Sequence, residues 1–131
     1  MIASVLSVPE LRLFWLQPVA DQHHAVAVAA RVAAVSEDPL LVRAALLHDV
    51  GKRHSRTGTA ARTVASVLAI LHLPRNGKLR TYLEHGRLGG ADLEAAGSPP
   101  IVVAFAEHHH GPRPQDVPAE AWALLCAADD D

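Results

Sequence analysis

"AALLHDVGK", residues 44–52, decides how the rest of the chain is read. Four apolar residues are followed by His48 and Asp49 side by side, then by Gly51 and Lys52. Leu41 and Ala45 lie two turns and one turn before Asp49, and Ala44 lies one turn before His48. Both polar residues therefore emerge from a buried helix end and point into the interior. Gly51 is expected to stop that helix.

Working outward, helical periodicity dominates, and Ala, Leu and Arg stand where a strand would alternate β-branched residues. The expectation is an all-α domain, a bundle of about six to eight helices. "SVPE" at 7–10 has the spacing of a capping box, so a short first helix carries Leu11, Phe14 and Trp15 toward the core until Pro18 ends it. Asp21 can cap a second helix running to about Val35, and Pro39, after the turn "SEDP", suits the first position of a third. "AARTVASVLAILHL" at 60–73 reads as a fourth, with Val64, Val67, Leu68 and Leu71 on one face, and "PRNG" breaks it. A helix from about Lys78, bent near Gly86, ends at Gly97; Ser98 then caps "PPIVVAFAEHHH", and "AEAWALLCAADDD" closes the chain.

With 131 residues there is room for one core, so residues 1–131 are read as a single domain, with a short N-terminal helix over 1–18 and the main body over 20–129. Half the residues are apolar and the net charge is −2, which argues against a disordered chain or a nucleic-acid coat. Cys126 is alone and requires no oxidising compartment. The first basic residue is Arg12, the wrong order for a secretory signal, and no apolar run reaches the ~18 residues of a membrane span. A cytoplasmic protein with no membrane partner is expected.

Nine histidines in so short a chain are unusual, and helical faces sort them. His24 shares the stripe of Val28, Val32 and Val35, whereas His23 aligns with alanines. Ile101 and Phe105 are followed at the same spacing by His109, with His108 beside it; Trp122 and Leu125 share a face with Asp129. His85 has weaker periodic support. The inward set is His24, His48, Asp49, His85, His108, His109 and Asp129, with His23 and His110 as solvated neighbours or hydrogen-bond donors to the ligands. Each buried polar group left unpaired costs about 1–3 kcal/mol, and a divalent metal is the simplest common partner. Imidazole and carboxylate without thiolate suit Fe, Mn, Zn, Co or Ni, and seven ligands exceed the needs of one ion. Two metals about 3.5–4 Å apart could hold a bridging hydroxide and clamp the oxygens of a phosphoryl displacement. Lys52 and Arg53 follow directly as candidate phosphate ligands, with Arg56 beyond them.

The order His24, then "LLHDVGK", then His85 in "EHGRLGGADL", then "AFAEHHHG", then Asp129 in "LLCAADD" resembles the HD-domain superfamily of metal-dependent phosphohydrolases over about residues 20–129. The extra histidines resemble its two-metal branch. That resemblance implies one metal on His24, His48, Asp49 and Asp129, and another on Asp49, His85, His108 and His109. Asp49 and Lys52 would be the catalytic residues, Asp49 bridging the metals and Lys52 near the substrate phosphate. The expected substrate is a small phosphorylated, nucleotide-like molecule rather than a nucleic-acid polymer, and a homodimer is left open. "HHHGPRPQDVP" replaces the Glu and the Gly-Tyr-Pro turn of the HD-GYP phosphodiesterases, so the chain departs from that group. The HD-type diiron oxygenases, exemplified by myo-inositol oxygenase, share a similar ligand order and give a second reading. A non-catalytic HD binding module is the third.

Overall fold

The computed structural model describes residues 2–55 and 76–130, with side chains outside 53–55 and 76–83. Among the described residues are seven α-helices, one 3₁₀ helix and no strand, in agreement with the all-α expectation. The helix expected over 60–73 lies outside the described residues, as do Arg56 and the side chain of Arg53. No described helix is long and apolar enough to cross a membrane.

Helix α1 (Ile2–Val5) leads into α2 (Val8–Leu16) through the capping box read from the sequence. The Ser7 N–H donates to Glu10 Oε1 at 2.8 Å, and the Glu10 N–H donates to Ser7 Oγ at 3.4 Å. Phe14 is buried, but Trp15 is 61% exposed, contrary to expectation. Consecutive helical residues point about 100° apart, so a short helix that turns Phe14 inward turns its neighbour out. The two rings meet edge to face at 5.1 Å.

Helix α3 (Val19–Val35) starts earlier than expected, with Pro18 at its cap and no side-chain cap; Asp21 lies in the first turn. There its carboxylate still meets the positive end of the helix. The stripe from Ala25 through Val28 to Val32 is buried, whereas Val35, expected on it, is exposed at the helix end. Helix α4 (Pro39–Leu47) opens on Pro39, with Asp38 Oδ1 accepting from the Leu40 N–H at 2.9 Å.

Gly51 does not stop α4. The helix ends at Leu47, the chain turns through His48 and Asp49, and a 3₁₀ helix, Val50–Ser55, contains Gly51. What requires glycine there is a crossing: a Cβ on Gly51 would collide with the His85 carbonyl oxygen and lie 2.7 Å from Gly89 N. The 3₁₀ segment thus lies directly on α5 (Asn76–Ala95).

Helix α5 ends at Ala95 rather than Gly97. Gly97 adopts φ 77°, and the Ser98 N–H donates back to the Leu93 carbonyl at 2.9 Å, a left-handed helix stop. Ser98 does not cap α6 (Pro100–His108), whose N-cap is Pro99. Its hydroxyl donates instead to Glu10 Oε2 at 2.7 Å. Glu10 is fully buried and takes Arg43 Nε at 2.8 and 3.0 Å and Arg43 Nη2 at 2.7 Å. Burial pushes its pKa up, but Arg43, Ser98 and Ser7 outweigh that and hold it below the usual carboxylate range. Helix α7 (Ala119–Asp130) closes the fold against α3 and α4. In the core, Phe105 of α6 meets Trp122 of α7 at 5.5 Å and His48 at 5.7 Å. Helix α4 thus ends amid the helices that carry the remaining polar groups.

Candidate metal centre

The end of α4 brings its two polar residues to the middle of the cluster. His48 has no exposed side-chain surface and Asp49 only 4%. The His48 Nδ1–H donates to the Ala45 carbonyl at 2.7 Å, and the His109 Nδ1–H does the same to Phe105 and Ala106 at 3.0 and 3.2 Å. Each bond fixes the orientation of its ring and leaves Nε2 as the atom that faces the carboxylates. His48 Nε2 lies 3.1 Å from Asp129 Oδ1 and 3.3 Å from Asp49 Oδ2; His109 Nε2 lies 3.4 Å from Asp49 Oδ1. These are close approaches but not aligned hydrogen bonds, and both Nε2 atoms are buried without a hydrogen-bond partner.

His24, on α3, donates from Nε2 to Asp129 Oδ1 at 3.0 Å and keeps 40% of its side chain exposed. Lys52 Nζ donates to Asp49 Oδ2 at 2.9 Å. His110 packs its ring 4.0 Å from that of His109. Among the described residues, donor atoms fall into three sets within 4.8 Å: His24, His48 and Asp49; His48, His109 and Asp129; Asp49, His109 and His110. His85 lines the same pocket with Gly51, Lys52, His109 and His110, around a space of about 10 Å³, the room of a single water-sized body.

The charges follow from this crowding. Burial opposes ionisation of Asp49, but His109, His48 and Lys52 hold it well below the usual carboxylate range. Asp129 is likewise lowered to about 2 against its burial, by His48 and His24. Burial disfavours charge on His48, yet Asp129 and Asp49 push it up to about 10. The Lys52 ammonium is reinforced by Asp49 against its own burial, and His110 is lowered by burial and by the neighbouring His109. A proton on His48 and the Lys52 ammonium thus serve as cations for two carboxylates. A divalent ion can replace them once His48 gives up its Nε2 proton, and the Nε2 atoms of His48 and His109, buried without a hydrogen-bond partner, fit that role.

Of the residues expected at the site, His24, His48, Asp49, His109 and Asp129 come together, and His85 reaches the pocket wall. His108 does not. It is the last residue of α6, keeps 47% of its side chain exposed, and lines a separate groove with Glu94, Glu107 and Asp116. His110, expected to be a solvated neighbour or a hydrogen-bond donor to the ligands, is exposed, yet one of its ring nitrogens lies within 4.8 Å of the donor atoms of Asp49 and His109. The helix stops at His108, His109 caps it and His110 begins the turn, so helical spacing no longer governs which ring faces inward.

The family model of the HD domain matches residues 22–130. The chain belongs to the HD-domain family. Comparison with curated proteins and with solved structures finds no match. The matched span begins two residues before His24 and ends one residue after Asp129, so the HD domain encloses every donor of the cluster. HD domains are, as a family, metal-dependent phosphohydrolases, and this donor set is compatible with divalent metal binding.

Proposed function

We propose that the chain is a metal-dependent phosphoric ester hydrolase acting on a small, nucleotide-like phosphoester. The observation that carries the reading is the pair of buried Nε2 atoms on His48 and His109, each without a hydrogen-bond partner and each facing Asp49. One ion would be held by His24, His48, Asp49 and Asp129, and a second by Asp49, His109 and His110 with His85 beside them. Divalent ions so held supply Lewis-acid charge at a phosphoryl oxygen and a nucleophilic water at neutral pH.

The chain's own residues prepare that chemistry. Asp49 stays ionised and stands where the two donor sets meet. The carbonyls of Ala45, Phe105 and Ala106 keep the histidine rings in the ligating orientation. Lys52 keeps 31% of its side chain exposed while holding Asp49, and its ammonium is the cation we assign to a substrate phosphate oxygen. Arg53, next in sequence, is the second cation of the same proposal. A cytoplasmic location, and a small molecule rather than a polymer as substrate, belong to it too.

Of the pair His108 and His109 only His109 reaches the cluster, which keeps the diiron oxygenase as the second reading, while His110 beside His109 offers the further donor that the hydrolase reading uses. The test combines metal analysis with assays on generic phosphate mono- and diesters in Mn²⁺ or Fe²⁺. Activity abolished by His48→Ala and Asp49→Ala is expected. A metal-free, inert wild type overturns the reading, and oxygen consumption without esterase activity replaces it with the oxygenase.

A further inference from the structure

Helix α7 ends on Asp129 and Asp130, Asp131 follows in sequence, and its last turn contains no basic residue. Free carbonyls at a helix C-terminus carry partial negative charge, so carboxylates there are repelled by the backbone and by one another. Local sequence gives this end no reason to stay wound. Asp129 nevertheless sits 3.0 Å from His24 Nε2 and 3.1 Å from His48 Nε2.

The missing cation comes from α3. Arg31 donates Nη1–H to the Ala128 carbonyl at 2.8 Å, across 97 residues of sequence. Ala128 is 6% exposed, so its carbonyl belongs to a part of the helix end largely withdrawn from water. Arg31 and His24 are seven residues apart, two helical turns, and so share one face of α3. From that face His24 holds the carboxylate while Arg31 holds the backbone. The peptide unit joining Ala128 to Asp129 is planar, so a carbonyl fixed on one side fixes the Asp129 Cα on the other. A guanidinium bound to that carbonyl also offsets the negative end of the helix.

We infer that Arg31 is a positioning residue of the metal centre: by gripping the Ala128 carbonyl it holds the last turn of α7 and presents Asp129 to the ion-binding cluster. The inference rests on the reading of Asp129 as a metal ligand.

The test is a double-mutant cycle on Mn²⁺ binding, followed by titration calorimetry on the full chain, with thermal unfolding measured in parallel. Arg31→Met is expected to weaken Mn²⁺ binding about tenfold in the wild-type background, the scale of one lost charge-assisted hydrogen bond. In an Asp129→Asn background it is expected to weaken the remaining binding no further. Arg31→Lys, which keeps the charge, is expected to recover most of the loss. Equal weakening in both backgrounds means general damage to the fold and overturns the inference, as does undiminished binding in Arg31→Met. If Arg31→Met does not fold, Arg31→Gln carries the same cycle. Absence of Mn²⁺ binding in the wild type overturns the metal reading itself, whereas wild-type binding that Arg31→Met leaves intact overturns only the role of Arg31.

Discussion

Replacing Gly51 by alanine places a methyl group inside the backbone of α5. The added Cβ would lie 2.7 Å from Gly89 N and 2.9 Å from Gly89 Cα, where ordinary contact begins at 3.4 Å, and it would collide with the His85 carbonyl oxygen. None of these atoms can rotate away, because all belong to the main chain. The 3₁₀ segment and α5 must therefore part by at least about 0.7 Å to relieve the Gly89 contact alone. Overpacking of this kind costs about 1–3 kcal/mol, and a backbone clash on two sides belongs at the upper end. For a chain of this size that is a fall in melting temperature of roughly 10 °C. The site suffers as well, since Gly51 lies between Asp49 and Lys52 while His85 rides on α5. Thermal unfolding by circular dichroism and Mn²⁺ titration of Gly51→Ala read the two effects separately. A variant with the wild-type melting temperature and metal affinity would refute the crossing as the reason for glycine.

Three further outcomes follow from the same geometry. Glu10→Gln removes a buried charge while leaving Arg43 in place, with an expected loss of about 3 kcal/mol, the low end for such pairs because Arg43 keeps 22% of its side chain in solvent. Since Glu10 is held below its ordinary value of 4.5, its contribution is present above about that pH and lost as pH falls through the lowered value; acid titration of stability should be shallower in Glu10→Gln, and an unchanged profile contradicts this. Because the metal-free His48 is pushed up to about 10, an incoming ion must displace its proton. Mn²⁺ affinity should rise about tenfold per pH unit over about pH 6–9, and a flat profile by calorimetry contradicts the protonated ring. That raised value stabilises the metal-free fold below about pH 6.5, a contribution lost as pH climbs through about 10. Finally, His108→Ala should leave metal affinity unchanged while His110→Ala lowers it at least 10- to 100-fold; the reverse pattern restores the register read from the sequence.

Where a residue's direction is set by regular helix, the sequence was legible. The Ser7–Glu10 capping box, Pro39 at the start of α4 and the inward lean of His24, His48, Asp49, His109 and Asp129 all follow from helical spacing and capping chemistry. The errors lie at helix ends and crossings. His108 falls outside the cluster because α6 stops at it, and Gly51 looks like a helix stop although its need is set by α5, far along the chain. Ser98 is spent on Glu10 rather than on a cap, a tertiary partner that no local pattern announces. Likewise the Arg31 grip on Ala128 spans nearly the whole chain.

Asp49 belongs to both outer donor sets, with His24 and His48 on one side and His109 and His110 on the other. Counting ions per chain by elemental analysis, in wild type and in Asp49→Ala of matched secondary structure, tests that sharing most directly. Two divalent ions per wild-type chain, almost none in Asp49→Ala, and one retained in His24→Ala or in His110→Ala is the predicted result. A folded wild type without metal, or an Asp49→Ala variant with the wild-type count, would contradict the account.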